Sequence, residues 1–543
     1  MSKRALVFAV VTNSLLLSQT YSALAEYSGL DATVERLNQA VKTPMTPATN
    51  CCVTTTTGRP NLLSQVKRLR SAIKSEAFTA ATCSSVLEEA YATVFKSSPE
   101  QYEPRLLKEN AREIIDELFA GKLELRASLA RIEKEGPLSA PCVEASRNAM
   151  RAVLFLSEYL AEHFVPGLGH DRVFEGQGPE LLLNPKYGPK LELKSGDVLM
   201  SRGDAFVSGA ISRIGDNDGN FSHIAIVYID PETKKPYTVE AHIEQGVVVA
   251  PLENYLKDGK VRSTVFRQQD PGLAHQAAKL MFERASKATA KGKNIPYDFG
   301  MVLSGKDPKG RAADHEVFCS EVAYIGYKEA SGGKIVLPRY PTGLNMKNDT
   351  FLKAIGVAAK TTFAPSDMEV ETRFDLVAEW RNFKKTEKSR MTDAILTKSY
   401  EAMEKHDYAL RNTAGDAIKR DLAYVMRHTP LFRGLVKDKF PENMTRKAVG
   451  TMLALDKAST PMLAKLKEVS ALQKEKTGFA MTTPQMLVYL ETLRQDDFQT
   501  YLNYRKWQRE FPAPSSGDDG QAQPPSDPAP PKPLFHNVFR PKS

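Results

Sequence analysis

Two kinds of hydrophobic pattern alternate along the chain. From about residue 62 to 164, apolar residues such as Val66 and Leu69 recur every three to four positions, as on one face of an amphipathic helix. From about 185 to 345, short β-branched runs are separated by turn residues, which indicates strands. Helical periodicity with many charged residues returns over 385–510. The pattern therefore predicts an α+β segment between two mainly helical regions.

The α+β segment has individually recognisable elements. Its predicted strands are Val198–Met200, Ile224–Ile229, Tyr237–Ile243, Val247–Ala250 and a further piece at Thr372–Ala378. Its predicted helices run from Leu273 to about Ala290 and from near Val317 to Gly332-Gly333. Because only a turn separates the second and third of these strands, we expect them to pair as a hairpin.

The N-terminus has the build of a secretory signal peptide. Lys3 and Arg4 precede the apolar run Ala5–Val11, and the small-x-small triplet Ala23-Leu24-Ala25 precedes Glu26. Polar residues interrupt the apolar run, so an uncleaved membrane anchor is the weaker interpretation. The sequence predicts cleavage of residues 1–25, a mature chain that starts at Glu26, and a periplasmic or secreted location.

The composition changes again at the C-terminal end. From Pro512 the chain is rich in proline and small polar residues, and such a segment buries too little apolar surface to fold. The predicted organisation is a signal peptide (1–25), a helical N-terminal domain (26–180), an α+β domain (185–382), a helical C-terminal domain (385–510) and a disordered tail (512–543).

Charge and composition are those of an ordinary globular protein. Of the 543 residues 42% are hydrophobic and 26% charged, and the formal net charge is +9. Basic residues are dispersed rather than clustered with aromatic residues, so a nucleic-acid-binding function is not expected. The mild positive charge allows weak association with anionic surfaces of the cell envelope.

The five cysteines divide into two groups. Cys51, Cys52, Cys83 and Cys142 lie in the N-terminal third, and in an oxidising compartment we expect them to form disulfides, although their connectivity stays open. Cys319 is left over, almost 180 residues further on. An odd cysteine in an exported chain is either an intermolecular partner or a free reactive thiol.

Cys319 lies near the start of a predicted helix. With Asp314 as the expected N-cap, Cys319 falls in the first turns, where unpaired N–H groups and the positive end of the dipole favour a thiolate. His315, one turn earlier, fits helix capping better than catalysis. Without a partner, a buried structural cysteine is the alternative interpretation.

A candidate base opens one of the predicted strands. Alternation along Ser222–Val227 places His223 on one face, and a two-residue turn at Pro231-Glu232 would place Glu240 directly opposite it, able to orient the imidazole. A longer turn would shift this register. His242 is a second candidate on the face of Glu240. The alternative for a single histidine at a strand start is a structural role.

Two other conspicuous segments do not indicate a separate function. Asp216–Asn220 resembles part of a calcium loop but lacks its glutamate, so we interpret it as a solvated loop that leads into the His223 strand and borders the substrate cleft. Arg202-Gly203-Asp204 spells an adhesion tripeptide, which arises easily by chance. No closely spaced His/Cys cluster suggests a metal ligand set, so no metal and no cofactor are expected.

Five segments of the α+β region, taken together, resemble the permuted papain-like amidases of the YiiX/YaeF family, relatives of NlpC-type cell-wall peptidases and of lecithin:retinol acyltransferase. The segments are Gly196-Asp197-Val198-Leu199, Ser222-His223-Ile224-Ala225-Ile226-Val227, Val239-Glu240-Ala241, Pro296-Tyr297-Asp298 and Phe318-Cys319-Ser320-Glu321-Val322. In this family the histidine precedes the cysteine, as it does here. The resemblance implies an α+β permuted papain-like (NlpC-type) domain with a small antiparallel sheet, flanked by the two helical domains.

The resemblance also implies roles for particular residues. Cys319 is expected to attack a carbonyl, His223 to exchange the proton and Glu240 to orient the histidine. Tyr297 is expected near the nucleophile, where it helps the backbone N–H of Cys319 to bind the oxyanion.

The function expected is hydrolysis of an amide or ester bond through a thioester. Cell-wall peptides are the first expected substrates, followed by acylated small molecules or lipids. One alternative is an acyltransferase that uses the same Cys-His site. Another is an inactive envelope scaffold or binding protein, against which the intact Cys-His-Glu set argues.

Overall fold

The computed structural model describes residues 59–95, 99–303, 316–344, 350–406, 408–410, 445–511, 530–531, 534–537 and 539–541. The predicted signal peptide, Cys51 and Cys52, Asp314 and His315, and most of the predicted tail lie outside the described residues. Among the described residues, no helix is long and apolar enough to cross a membrane.

The first described region is helical, as its periodicity predicted. Its helices are α1 (Leu62–Lys74), α2 (Cys83–Phe95), α3 (Pro104–Ile132) and α4 (Ala140–Phe164). Two have side-chain caps: the Asn61 side chain accepts a hydrogen bond from the N–H of Leu63, and Ser139 accepts one from that of Cys142. Apolar stripes such as Val66 and Leu69 of α1 are buried between the helices.

One disulfide lies within these helices. It joins Cys83, the first residue of α2, to Cys142 near the start of α4. The prediction that the N-terminal cysteines pair is confirmed for these two, whereas Cys51 and Cys52 lie outside the described residues. Cys319 is free and buried.

The α+β region contains a seven-stranded antiparallel sheet. Its strands are β1 (Leu181–Leu183), β2 (Val198–Gly203), β3 (His223–Ile229), β4 (Pro236–His242), β5 (Gly246–Pro251), β6 (Lys260–Gln268) and β9 (Phe374–Arg381). The spatial order is β1-β9-β6-β2-β3-β4-β5. Strands β7 (Thr342–Gly343) and β8 (Thr361–Thr362) form a separate pair. The α+β class is confirmed, but the main sheet is larger than expected.

Strand β6 is the main element that the sequence pattern missed. It carries Lys260 and Arg262, which look like surface residues, yet both are at most 4% exposed because each has an acidic partner. The added strand lies between β2 and β9, so β9 pairs with β6 and β1 and lies inside the sheet.

Two helices cover one face of the sheet. They are α7 (Pro271–Ala290) and α8 (Cys319–Ala330), and their apolar residues share a core with alternate residues of the central strands, including Ile224 and Ile226. The opposite face carries Ala225 and Val227 and is covered in part by α6 (Leu252–Lys257). The short helix α5 (Phe206–Ile211) follows β2.

The N-terminal helices pack directly on this α+β region. Arg126 of α3 donates hydrogen bonds to four backbone carbonyls, those of Met368, Glu369, Glu371 and Phe374. Lys122 of the same helix forms a buried ion pair with Glu379 of β9. Helices and sheet therefore share one core, and the predicted domain boundary between 180 and 185 stays a prediction.

The C-terminal region is helical, as predicted, but the end of the chain is not what its composition suggested. Its helices are α10 (Thr386–Glu404), α11 (Arg446–Thr477) and α12 (Thr483–Glu510), and the short α9 (Thr350–Ile355) precedes them in the α+β region. Strand β11 (Phe539–Pro541) pairs with β10 (Tyr408–Leu410), and both Phe535 and Phe539 are buried. The prediction of disorder up to residue 543 was wrong for these residues, because two phenylalanines supply the apolar surface that the proline-rich part lacks.

Candidate active site

The Cys319 thiol lies at the N-terminus of α8. Cys319 is the first residue of the helix and Phe318 is its N-cap, so the expectation that Asp314 caps the helix was wrong. The residue is 5% exposed, and its Sγ lies 3.8 Å from the carbonyl oxygen of Ser222, immediately before β3. The N-terminus of α8 and the start of β3 therefore lie side by side. A Cys-His pair needs this arrangement.

The β3–β4 hairpin has a longer turn than the one that places Glu240 opposite His223. Ile229 pairs with Pro236, so six residues form the connection, and Glu240 lies opposite Ala225. Glu240 still reaches the imidazole diagonally, because residues 223, 225 and 240 share one face of the sheet. Nε2 of His223 is 2.8 Å from Oε2 of Glu240. Of the two turns that the sequence left open, the longer one is formed, and the structure still brings the two side chains together.

Glu240 has two further partners on the same strand. The hydroxyl of Thr238 donates a 2.8 Å hydrogen bond to Oε1, and Nε2 of His242 lies 3.4 Å from Oε2. The rings of His242 and His223 stack with centroids 5.4 Å apart. The carboxylate is therefore held on one side by a hydroxyl and on the other by two imidazoles.

Tyr297 is brought to the site by a segment threaded beside β5. Val247 donates a 2.8 Å hydrogen bond to the carbonyl of Ile295, and a Cβ at Gly246 would lie 1.9 Å from that oxygen, so only glycine allows the approach. On the other side, Val317 donates to the carbonyl of Pro296 at 2.8 Å. This pairing fixes the buried Tyr297 beside Cys319, close enough for the charge of the thiolate to act on its hydroxyl.

Mutual interactions set the protonation states of the site. Burial favours the neutral forms, but hydrogen bonds with Cys319 and Glu240 and their charges raise the pKa of His223 to about 9. Burial by itself would raise the pKa of the Cys319 thiol, but the hydrogen bond and charge of His223 outweigh it and lower this pKa. The two histidines hold the pKa of Glu240 well below its usual range despite its burial. The groups therefore favour a thiolate, an imidazolium and a carboxylate.

The pKa of Tyr297, in contrast to that of Cys319, is shifted in the direction that keeps the group protonated. Its burial, and then the negative charges of Cys319 and Asp298, raise its pKa well above the usual value. The hydroxyl accordingly keeps its proton, and a protonated phenol can donate a hydrogen bond to an oxygen that becomes negative.

Sequence reasoning missed one grouping and misjudged a loop. His223, Glu240 and His242 offer ligand atoms within 4.8 Å of one another, a cluster that pairing of two strands creates and linear spacing does not display. The loop Asp216–Asn220 is less solvated than expected: Asn220 is 1% exposed and Asn217 accepts a 2.6 Å hydrogen bond from Arg151. Arg202 of the adhesion-like tripeptide is buried.

The fold and the site together define a class of protein. A cysteine at a helix N-terminus, a histidine at the start of an adjacent antiparallel strand and a carboxylate on the next strand are the parts of a papain-like cysteine hydrolase. Here the histidine precedes the cysteine in the chain, so the order is permuted.

Comparison with protein-family models agrees with this class. Residues 192–373 match the family described as permuted papain-like amidase enzyme, YaeF/YiiX, C92 family. The resemblance noted from five short segments is therefore confirmed, since this part of the chain is similar to the permuted papain-like amidases of that family. Comparison with curated proteins and with solved structures gave no match. The protein is a cysteine peptidase-like hydrolase.

Proposed function

We propose that the protein is an exported cysteine hydrolase that cleaves an amide or ester bond through a thioester on Cys319. The observation that carries the proposal is the linked set of three side chains. The thiol begins a helix beside His223, whose Nε2 lies 2.8 Å from the buried carboxylate of Glu240. Because Nε2 binds Glu240, Nδ1 is the ring nitrogen available to the thiol.

In the first half of the reaction, the Cys319 thiolate attacks the carbonyl carbon of the substrate. The carbonyl oxygen takes the electron pair and is stabilised by the N–H of Cys319 and the hydroxyl of Tyr297. The tetrahedral species collapses as Nδ1–H of His223 protonates the leaving amine or alcohol, which leaves an acyl group on sulfur and a neutral imidazole.

In the second half, the neutral imidazole accepts a proton from water as the oxygen attacks the thioester. The acyl group leaves as a carboxylic acid, and the proton taken from water restores the imidazolium beside the thiolate. Glu240 keeps its charge throughout and compensates the positive imidazole of His223, which accounts for the position of its carboxylate 2.8 Å from that ring.

Two observations support export. The first is the signal-peptide pattern of residues 1–25. The second is the Cys83–Cys142 disulfide, because disulfides persist mainly in oxidising compartments. An exported amidase of this type meets cell-wall peptides first, and acylated small molecules or lipids next; the excess of basic residues supports contact with anionic envelope surfaces.

The experiment combines labelling with trapping of the acyl group. A thiol-directed probe should label Cys319 in the folded protein. The mass added to Cys319 after incubation with cell-envelope extract identifies the acyl donor, and a comparison of water with added amines as acceptor separates a hydrolase from an acyltransferase. A folded protein whose Cys319 neither reacts with the probe nor acquires a mass would contradict the proposal.

A further inference from the structure

We propose that His223, Glu240 and His242 form a site for a divalent transition-metal ion, with Zn²⁺ as the reference ion, and that the occupied site arrests the hydrolase. The arrest rests on the proposed function, whereas the binding site does not. Both imidazole and carboxylate are common zinc ligands, and three protein ligands with one open position are a frequent zinc arrangement.

The distances suit this ion. Zinc lies about 2.0–2.2 Å from nitrogen and oxygen ligands, so ligand atoms of a tetrahedral site are roughly 3.3 Å apart. Nε2 of His242 is 3.4 Å from Oε2 of Glu240, Nε2 of His223 is 2.8 Å from the same oxygen, and all three ligand groups lie within 4.8 Å. Side-chain shifts of about 1 Å would close the set around one ion.

The carboxylate is already oriented for such a role. Thr238 holds Oε1 by a 2.8 Å hydrogen bond, which leaves Oε2 facing the two histidines. Partners of this kind, behind a metal ligand, fix its orientation and strengthen binding. Glu240 is 5% exposed and supplies the negative charge that a divalent ion needs.

The ion also has a path to the site. The side chain of His242 is 39% exposed and that of His223 is 21% exposed, so both rings reach solvent above the buried carboxylate. His242 has no part in the acyl transfer described above. The reaction therefore leaves unexplained why a second imidazole stacks on the first and approaches the same carboxylate oxygen.

Metal binding at this place would stop the reaction for a chemical reason. The ion replaces the proton on Nε2 of His223, which is released to solvent, and takes the Glu240 oxygen that oriented the ring. Nδ1–H then cannot be given to a leaving group without forming a metal-bound imidazolate. The Cys319 thiol loses its proton-exchange partner although it is not itself a ligand.

The test uses tag-free full-length protein and Zn²⁺ alone. Affinity is measured by competition with a chromophoric chelator, for the native protein and for Cys319→Ala, His242→Ala and His170→Ala. His170 is the matched control, since it is an exposed histidine 3.9 Å from a carboxylate, that of Glu180, in another part of the molecule. We expect one tightly bound equivalent in the native protein, Cys319→Ala and His170→Ala, and an affinity at least about tenfold weaker in His242→Ala.

A second measurement tests arrest. For each protein with Cys319, the rate of Cys319 labelling is measured with and without zinc. We expect zinc to lower this rate about tenfold or more in the native protein and in His170→Ala. In His242→Ala the rate should fall less than about twofold.

Three outcomes would overturn the proposal: no bound equivalent, binding lost in Cys319→Ala but kept in His242→Ala, or protection unaffected by His242→Ala. If the native protein binds zinc but its Cys319 does not react with the probe, the proposed function is contradicted while the proposed metal site stands.

Discussion

Two of the clusters of charged residues on the sheet differ in the basic residue that they contain, histidine in one and arginine in the other. The first is the triad of Cys319, His223 and Glu240. The second, which we call the arginine cluster, consists of Arg202, Arg213, Arg262, Glu158 and Asp393. The clusters are near neighbours, because Ser201, next to Arg202 on β2, pairs with His223 on β3.

The arginine cluster has a structural role that the triad cannot have. Arg202 and Arg213 lie 2.9 and 3.1 Å from Oδ1 of Asp393, and Arg262 lies 3.3 Å from its other oxygen. Despite burial, these three arginines hold the pKa of Asp393 at about 2. Guanidinium groups do not release protons in proteins, so the cluster stays charged and connects α4, the sheet and α10.

The triad uses histidine, whose proton can move. The imidazole is 21% exposed, whereas the arginine side chains are about 1% exposed. Histidine is thus placed where a substrate and water can reach it, and arginine where nothing needs to be exchanged. The comparison predicts that changes in the triad act mainly on reactivity, while changes in the arginine cluster act mainly on stability.

The largest effect is expected for His223→Ala. Without the base, the labelling rate of Cys319 at neutral pH should fall by about 10²- to 10⁴-fold, the usual contribution of a positioned acid–base group. The free energy of unfolding, measured in urea, should also fall, by about 1.5–3 kcal/mol, because the buried Glu240 carboxylate loses a charged hydrogen-bond partner, so the labelling rate is taken per folded molecule. An unchanged labelling rate would show that the two side chains do not form a functional pair.

The next effect is expected for Asp393→Ala. The change leaves three buried arginines without their shared carboxylate, which should lower the free energy of unfolding by about 3–5 kcal/mol. Labelling of Cys319 per folded molecule should change less than about tenfold, well below the His223→Ala effect. The control is Asp171→Asn, at an acid 72% exposed in its pair with Lys384, for which we expect about 0.5 kcal/mol or less. Equal losses for both variants would refute the structural role.

Glu240→Gln should alter the pH dependence of labelling in chelator-treated protein. In the native protein the low pKa of Cys319 and the pKa of about 9 at His223 should keep labelling fast well below the usual thiol pKa. The amide removes a negative charge, so the pKa of His223 should fall, that of Cys319 should rise, and labelling at pH 6 should drop by roughly tenfold per pKa unit. An unshifted profile would exclude Glu240 as the orienting carboxylate.

The same shift has a consequence for stability. The pKa of His223 is higher in the folded protein than in a free histidine. Its contribution to stability should therefore be fully present below about pH 6.5 and be lost as the pH rises through about 9. Glu240→Gln should weaken this loss, which urea unfolding at several pH values would measure.

The smallest effect is expected for Thr238→Val, which keeps the side-chain shape and removes the hydroxyl bonded to Glu240. Loss of one hydrogen bond to a buried carboxylate should lower the free energy of unfolding by about 1.5–3 kcal/mol. Labelling should fall only a few-fold, because both histidines still contact the carboxylate. A loss of labelling as large as that of His223→Ala would mean that orientation of Glu240, rather than its charge, controls the site.

Much of the site followed from local patterns. Helical periodicity placed Cys319 near a helix start. Strand alternation placed Glu240 and His242 on the same face of one strand and His223 on one face of the neighbouring strand. The capping residue was missed because Phe318 has no polar side chain to signal it, and Asp314 had the expected chemistry. Strand β6 was missed because charged residues such as Arg262 suggest a surface position, whereas Glu158 and Asp393 on distant helices pair with Arg262 in the interior.

By itself, the sequence determined the alternation of helical and strand regions, the odd cysteine and the order of histidine before cysteine. These follow from periods of 3.6 and 2 residues and from residue identity, which are local properties. Tertiary structure alone decided the register of the β3–β4 hairpin, the burial of Lys260 and Arg262, and the meeting of Cys319 with His223. Those depend on turn length and on pairing between distant segments, where a shift of one residue turns every side chain to the other face.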